Sequence, residues 1–254
     1  MSFVQFCINQ QLNLEYEKRK RQIAGPFNAT PRQVLNSDIS LIKTTIKSKN
    51  SWVLTPLFGV VFFIGLYFAA TLFYPGGSQA DKHSGGFSWT NNYWCNLLNE
   101  NAINGEPNAA RPIALAAMLV LSFTLAIFWY IFPLKTDLEK KLRFTIQISG
   151  ALAMATGMFL FTAMHDTIVN IASFFGLVAT IGTFIGLDKL KWTRLFWLGI
   201  FNLILVAVNN ILYYGDGLKL FLPVVQKITF VFFLLWICLI TTKLYNRQGR
   251  DSLT

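Results

Sequence analysis

The sequence predicts an all-α fold: a polytopic membrane helix bundle of six transmembrane helices, N-in and C-in, with a short amphipathic helix in the first outer loop. Three observations carry this expectation. Hydrophobic residues are 54% of the 254 and charged residues only 13%, against about a quarter charged in a soluble domain. The apolar residues gather in nearly uncharged runs of about twenty, the length that crosses a hydrocarbon core. Of the 22 Lys and Arg residues, all but Lys82, Arg111, Lys219 and Lys227 fall on one side of a six-span topology. The positive-inside bias makes that side cytoplasmic. Basic residues placed between and outside apolar runs also argue against reading the net charge of +10 as a nucleic-acid face.

Residues 1–51 read as a basic cytoplasmic tail, with Lys18, Arg19, Lys20 and Arg21 together and Pro26 and Pro31 breaking the segment. Residues 34–46 can form a short helix on the inner surface. A tail that binds anionic lipid is one reading, and a solvated tail that only orients the protein is the plainer one. The opening MSFVQFCINQ is soon followed by charged LEYEKRKRQ, which leaves no apolar stretch for a cleavable signal. Asn28-Ala29-Thr30 fits a glycosylation sequon, but Pro31 follows it in a segment expected inside.

The membrane domain is expected over 52–244, with spans near 52–74, 113–132, 144–164, 167–187, 196–214 and 224–244, and a cytoplasmic tail at 245–254. Only His165 and Asp166 separate the third and fourth runs, which implies a tight helical hairpin. Ser149, Ala153 and Gly157 on the third span, and Ala172, Gly176, Gly182 and Gly186 on the fourth, are small residues that let backbones approach in lipid. Trp52, Trp129, Tyr130, Trp192, Trp197 and Tyr245 fall at the inner interface, and Tyr74, Tyr213 and Tyr214 at the outer one. That is the expected aromatic belt.

The outer cap at 75–112 is the one long polar segment between spans. As a helix, 89–99 would carry Trp89, Tyr93, Trp94, Leu97 and Leu98 on one half and Asn91, Asn92, Cys95, Asn96 and Asn99 on the other. Its aromatic half either lies in the outer-leaflet interface or roofs the mouth of the bundle.

Polar side chains inside spans are costly and call for partners. Here they gather toward the outer ends. Asp166, Asn170 and Ser173 share a face of the fourth span, Asn209 and Asn210 end the fifth, and Gln226 and Lys227 open the sixth, with Asn202 deeper. The candidate binding cluster is His165, Asp166, Asn170, Asn209, Asn210 and Lys227, with Asn92, Cys95 and Asn96 from the cap, and Asp166 is placed to pair with Lys227. Hydrated helix ends are the bland alternative.

Several chemistries find no support. A zinc hydrolase needs more ligands than His83 and His165 supply, so no metal site is expected. Neither histidine is mid-membrane, as a haem axial pair would be. His165 and Asp166 are chain neighbours and seldom orient one another as a triad demands, and no nucleophile elbow is present. Lys227 lies too near the surface for a retinal Schiff base. Pro75-Gly76-Gly77 lacks the lysine and helix of a phosphate loop. No inverted repeat or broken span marks a secondary transporter. No two of Cys7, Cys95 and Cys238 share both a side and a depth in this topology, so free thiols are expected.

Tyr74-Pro75-Gly76-Gly77, then Asn92-Tyr93-Trp94-Cys95-Asn96-Leu97, then Asn104-Gly105 and Asn108, resemble the first outer loop of an uncharacterised prokaryotic family. It is known as domain of unknown function 998, six-span membrane proteins loosely related to the DRAM-like group. His165 is similar to a histidine of that group. Cys95-Asn96-Leu97-Leu98 stands where something like Ser-Asp-Leu-Gly is expected, which counts against a carboxylate site in the loop. The resemblance covers the first four spans and implies no catalytic activity.

The expectation is therefore a multi-pass protein of a prokaryotic inner or plasma membrane that acts without chemistry or a cofactor of its own. Its expected partner is membrane lipid, with a protein partner or a homodimer as further options and no nucleic acid. A small-molecule permease and a lipid-modifying enzyme using His165 and Asp166 are the alternatives. A permease would need polar lining past Asn202 toward the cytoplasm.

Overall fold

The computed structural model describes residues 51–162, 164–215 and 217–251. The tail at 1–50, with Cys7 and the expected surface helix at 34–46, lies outside the described residues. Six α-helices follow: α1 (Thr55–Leu72), α2 (Arg111–Leu134), α3 (Lys140–Gly157), α4 (His165–Lys189), α5 (Thr193–Tyr214) and α6 (Leu222–Asp251). A 3-10 turn, Ser51–Leu54, leads into α1. Pro56 and Pro112 sit in the first turns of α1 and α2, where a missing N–H breaks no helical bond. No strand occurs among the described residues, and all the helices except α3 are long and apolar enough to cross a membrane.

The chain is an integral membrane protein. Phe58, Phe62, Leu72, Phe123, Phe174 and Ile211 each expose more than half their surface. A water-soluble fold would bury such side chains; a hydrocarbon solvent leaves them outward.

Contacts between consecutive helices run in opposite directions along the chain. Gly59 meets Thr124 and Trp52 meets Tyr130 across α1 and α2; Gly150 meets Trp129 across α2 and α3; Ile146 meets Gly182, and Ala153 meets Gly176, across α3 and α4. Phe184 meets Phe196 across α4 and α5, and Asn209 meets Thr229 across α5 and α6. Residue numbers rise in one helix as they fall in its neighbour, so all six helices alternate in direction. Arg247 near the end of α6 lies 3.9 Å from Asp137 in the α2–α3 loop, and Lys189 at the end of α4 donates to the Asp137 carbonyl. The start of α1 packs on α6 at that same end. The cap lies at the other.

Four expectations are corrected. The third span, expected at 144–164, is a helix of 18 residues over Lys140–Gly157, about 27 Å long. It starts earlier because Lys140, Lys141 and Arg143 can extend their charged heads to the interface while their stems stay helical. Those same charges leave it too polar by composition alone, although its antiparallel contacts with α2 and α4 carry it through the bundle. It ends at Gly157, a residue with the weakest hold on a helix among those that keep an N–H. The connection to α4 is accordingly the segment 158–164, not the two residues His165 and Asp166. Residues 245–251, expected as tail, continue α6.

The fourth correction is the cap helix. In place of an amphipathic helix over 89–99, the chain forms turns and one 3-10 helix, Trp94–Leu98. Asparagine side chains offer the backbone an alternative set of bonds. Asn92 Oδ1 accepts the Ser88 N–H at 2.8 Å and Asn96 Oδ1 accepts the Tyr93 N–H at 2.7 Å. The expected division is also overturned. Asn92 and Asn96 are buried together with Leu97 and Leu98, whereas Trp89 is half exposed.

Candidate functional site

The cap is held from within by amides. Asn92 Nδ2 donates to the Gly77 carbonyl at 2.9 Å, and Gly77 has no room for a Cβ, which would meet Asn104 N at 2.4 Å. Asn108 Nδ2 is shared among the carbonyls of Asn96, Leu97 and Asn99, and its Oδ1 accepts the Ala110 N–H. The Tyr74 hydroxyl accepts the Ile103 N–H at 3.0 Å. Asn92 and Asn96 are thus occupied with cap backbone. Asn108, which proves the most connected amide, carried no periodicity that would single it out.

The cap is clamped to the bundle at Trp94. Its ring stacks on Tyr67 of α1 with centroids 4.5 Å apart and lies 5.5 Å from Phe230 of α6. The Tyr67 hydroxyl donates to the Trp94 carbonyl at 3.0 Å, and the Trp94 N–H donates to Gln226 Oε1 at 3.2 Å. Lys227, buried, donates to the carbonyls of Asn92 at 2.5 Å and Pro223 at 2.9 Å, with the Phe87 ring 5.7 Å away. The Asp166–Lys227 pair is not among the ion pairs of the described residues; two carbonyls take the ammonium instead. Lys227 and Asn92 are therefore parts of one clamp.

Asp166, Asn170 and Asn210 gather elsewhere. Asp166, Asn170, Ser173 and Leu177 lie on the face of α4 that carries Phe184. Tyr213, Asn210, Val206 and Leu203 lie on the face of α5 that carries Gly199. At the end away from the cap the two faces close: the Phe184 ring packs on Phe196 and Trp236, and a Cβ on Gly199 would lie 2.3 Å from Phe184. At the cap end the Tyr213 hydroxyl reaches both Asp166 oxygens at 3.4 Å. These two contacts put Asn170 level with Asn210. Yet Asn170, Ser173 and Asn210 are all exposed, and Leu177 and Val206 expose 47% and 46%. On both helices the exposed residues of these faces are polar near the cap and apolar below. Among the described residues, Asn210 bonds only back to the Val206 carbonyl of its own helix.

Asn209 turns the other way, to Thr229 of α6 at 2.5 Å, and its Oδ1 is buried with no hydrogen-bond partner among the described residues. Asn202, one face with Asn209, is buried with its Oδ1 likewise unpartnered. The side chain of His165 lies outside the described residues. Cys95 is a free thiol within electrostatic reach of Lys227 and Asp166. Burial pushes it up, against smaller opposing pulls from its own backbone N–H and from the Lys227 charge. Burial also pushes Tyr74 and Tyr93 up. No three His, Cys, Asp or Glu side chains among the described residues come together as a metal ion would require.

Tyr213 is the residue that sequence reasoning missed. Placed in the aromatic belt by its position, it proves to reach from α5 to the Asp166 carboxylate of α4. Only the helix pairing, and not its own neighbours in sequence, reveals this. No family model, curated protein or solved structure matches the chain.

Proposed function

We propose that the protein is a lipid-binding accessory protein of the membrane, non-enzymatic, holding a lipid in the lateral cleft between α4 and α5, with the cap in the exoplasmic space and the ends of α1 and α6 in the cytoplasm. One observation carries this reading: level asparagines, Asn170 and Asn210, exposed on facing helix sides above the apolar Leu177 and Val206. A polar group facing hydrocarbon is costly. A ligand with a hydrogen-bonding head and an alkyl tail satisfies both halves of such a cleft, and membrane lipid is the amphiphile always at hand. The rings of Phe184, Phe196 and Trp236 fill the opposite end, which favours a blind lateral cleft over a permease path. The orientation rests on the basic residues Lys135, Lys140, Lys141, Lys189 and Lys191 at the end away from the cap.

A phospholipid carrying a diazirine in its acyl chain tests the reading. Cross-links are expected in peptides covering 170–181 and 199–210. Changing Asn170 and Asn210 together to Leu is expected to cut them about thirtyfold, the loss of two hydrogen bonds of about 1 kcal/mol each. Cross-links spread evenly over every lipid-facing helix would sink it.

A further inference from the structure

The lipid-facing stripe of α1 continues past the end of the helix. Phe58, Val61, Phe62, Phe68 and Leu72 recur at helical spacing and are all exposed. In a membrane-spanning helix hydrocarbon covers such a stripe. Phe73, just beyond the last turn, is exposed as well. Trp89 of the cap is laid on this stripe. Its ring stacks on Phe68, with centroids 6.0 Å apart and planes inclined by 28°. Phe87 and Trp94 meet the Trp89 ring edge-on at 5.5 Å and 6.4 Å and hold it from the cap side. Even so, Trp89 leaves 46% of its surface uncovered. Its chain neighbours Ser88 and Thr90 are polar, and their hydroxyls lie 3.3 Å apart in a hydrogen bond. One large ring therefore projects from a polar turn onto a helix face that lipid wets.

We propose that the cap is itself anchored in the bilayer: Trp89 inserts among the phospholipids of the leaflet on the cap side, against Phe68 of α1. The occupant follows from continuity, because Trp89 extends a face that is already lipid-covered. The depth agrees. Phe68 lies one turn inside the end of α1 at Leu72, about 6 Å along the axis. That is where an aromatic belt sits, since an indole is mostly apolar yet carries one N–H. This lipid-contact surface is separate from the α4–α5 faces. The cap is thus fastened at two points, to the bundle through Trp94 and to the leaflet through Trp89. Because the Trp94 ring touches both Trp89 and Tyr67, insertion of Trp89 also sets the depth of the bundle against the headgroups.

The test reconstitutes the full-length protein in phosphatidylcholine vesicles and compares the wild type with Trp89→Phe, which keeps a ring against Phe68. The difference between their emission spectra isolates Trp89 from the other tryptophans. Phosphatidylcholine brominated in the upper part of its acyl chains is expected to quench most of that difference, and iodide in the aqueous phase little of it. Iodide quenching as large as the bromolipid quenching would overturn the proposal. A difference that neither reagent quenches would overturn it too, since protein would then cover the ring. A second pair of variants is independent of the other tryptophans. Trp89→Cys and Gly85→Cys, in a version lacking natural cysteines, carry the same polarity-sensitive dye; Gly85 is exposed with open space around it. The dye at position 89 is expected to emit at the shorter wavelength and to lose intensity to bromolipid. Equal wavelengths at the two positions would count against the anchor in the same way. The α4–α5 reading stands or falls separately, on the cross-links in 170–181 and 199–210. Thermal midpoints of all variants within a few degrees of the wild type establish that the folds are intact.

Discussion

Trp94 is one side chain with a disproportionate share of the contacts between cap and bundle. Its ring packs between α1 and α6, and its backbone bonds to both. Trp94→Ala is expected to lower stability by about 3–5 kcal/mol, the range for truncating a packed aromatic. Thermal unfolding in detergent reads the change, and a shift no larger than that of Trp89→Ala would contradict the clamp. Cys95 offers a pH test. Its thiol is held above the ordinary value of about 8.5 by burial. The unfolded chain ionises this group first, so its contribution to stability is full below that ordinary value and is lost as pH rises through the higher folded one. Tyr74 and Tyr93, shifted the same way by burial, add to this loss at still higher pH. Maleimide labelling of Cys95 is thus expected to be slow at neutral pH in the folded protein and to quicken in alkaline solution, whereas urea-unfolded protein reacts fast at neutral pH. Equal rates in the two states at neutral pH would refute the shielding.

Among the elements, α3 shows what small residues accomplish where hydrophobic burial has no drive. A Cβ on Gly150 would lie 2.5 Å from Trp129, and one on Gly182 of α4 would lie 2.3 Å from Ile146, whereas one on Gly65 of α1 meets nothing. Gly150→Val and Gly182→Val are each expected to cost about 1–3 kcal/mol by overpacking, while Gly65→Ala is neutral or mildly stabilising. Unfolding midpoints compared across the three variants check this order. The small-residue pattern made the α3–α4 approach legible in the sequence, and hydropathy made most of the spans legible. The ends of α3 were not, because hydropathy registers where lipid begins and not where a helix begins. The cap was misread for a related reason. Alternation of aromatic and amide residues has the same period whether the amides face water or fold inward onto backbone, and only Gly77 and the carbonyls around Asn108 decide between them.

At the scale of the whole molecule, the alternating helices put the ends of α1 and α6 together, opposite the cap. In a version lacking natural cysteines, an impermeant thiol reagent applied to intact cells is expected to label Gly85→Cys, which has open space around it, and to spare Lys191→Cys. The reverse pattern would invert the proposed orientation. The candidate cluster was legible only as a neighbourhood. Its nine members share the cap end in the sequence pattern. Six of them divide between the cap and its clamp, with Asn92, Asn96 and Lys227, and the exposed faces of α4 and α5, with Asp166, Asn170 and Asn210, because that division depends on which neighbouring helix each face meets. Asn209 turns to α6 and joins neither.

The clamp also has a consequence in time. The cap lies between α1 and α2 and leaves the ribosome early, yet the groups that hold it, Lys219, Gln226 and Lys227, precede or open the last helix. Until α6 is inserted, the Trp94 ring lacks Phe230 and rests on Tyr67, Phe63 and Trp89. Full seating of the cap therefore waits for α6. A chain truncated before α6 is expected to present a cap open to added protease, and the full chain a resistant one.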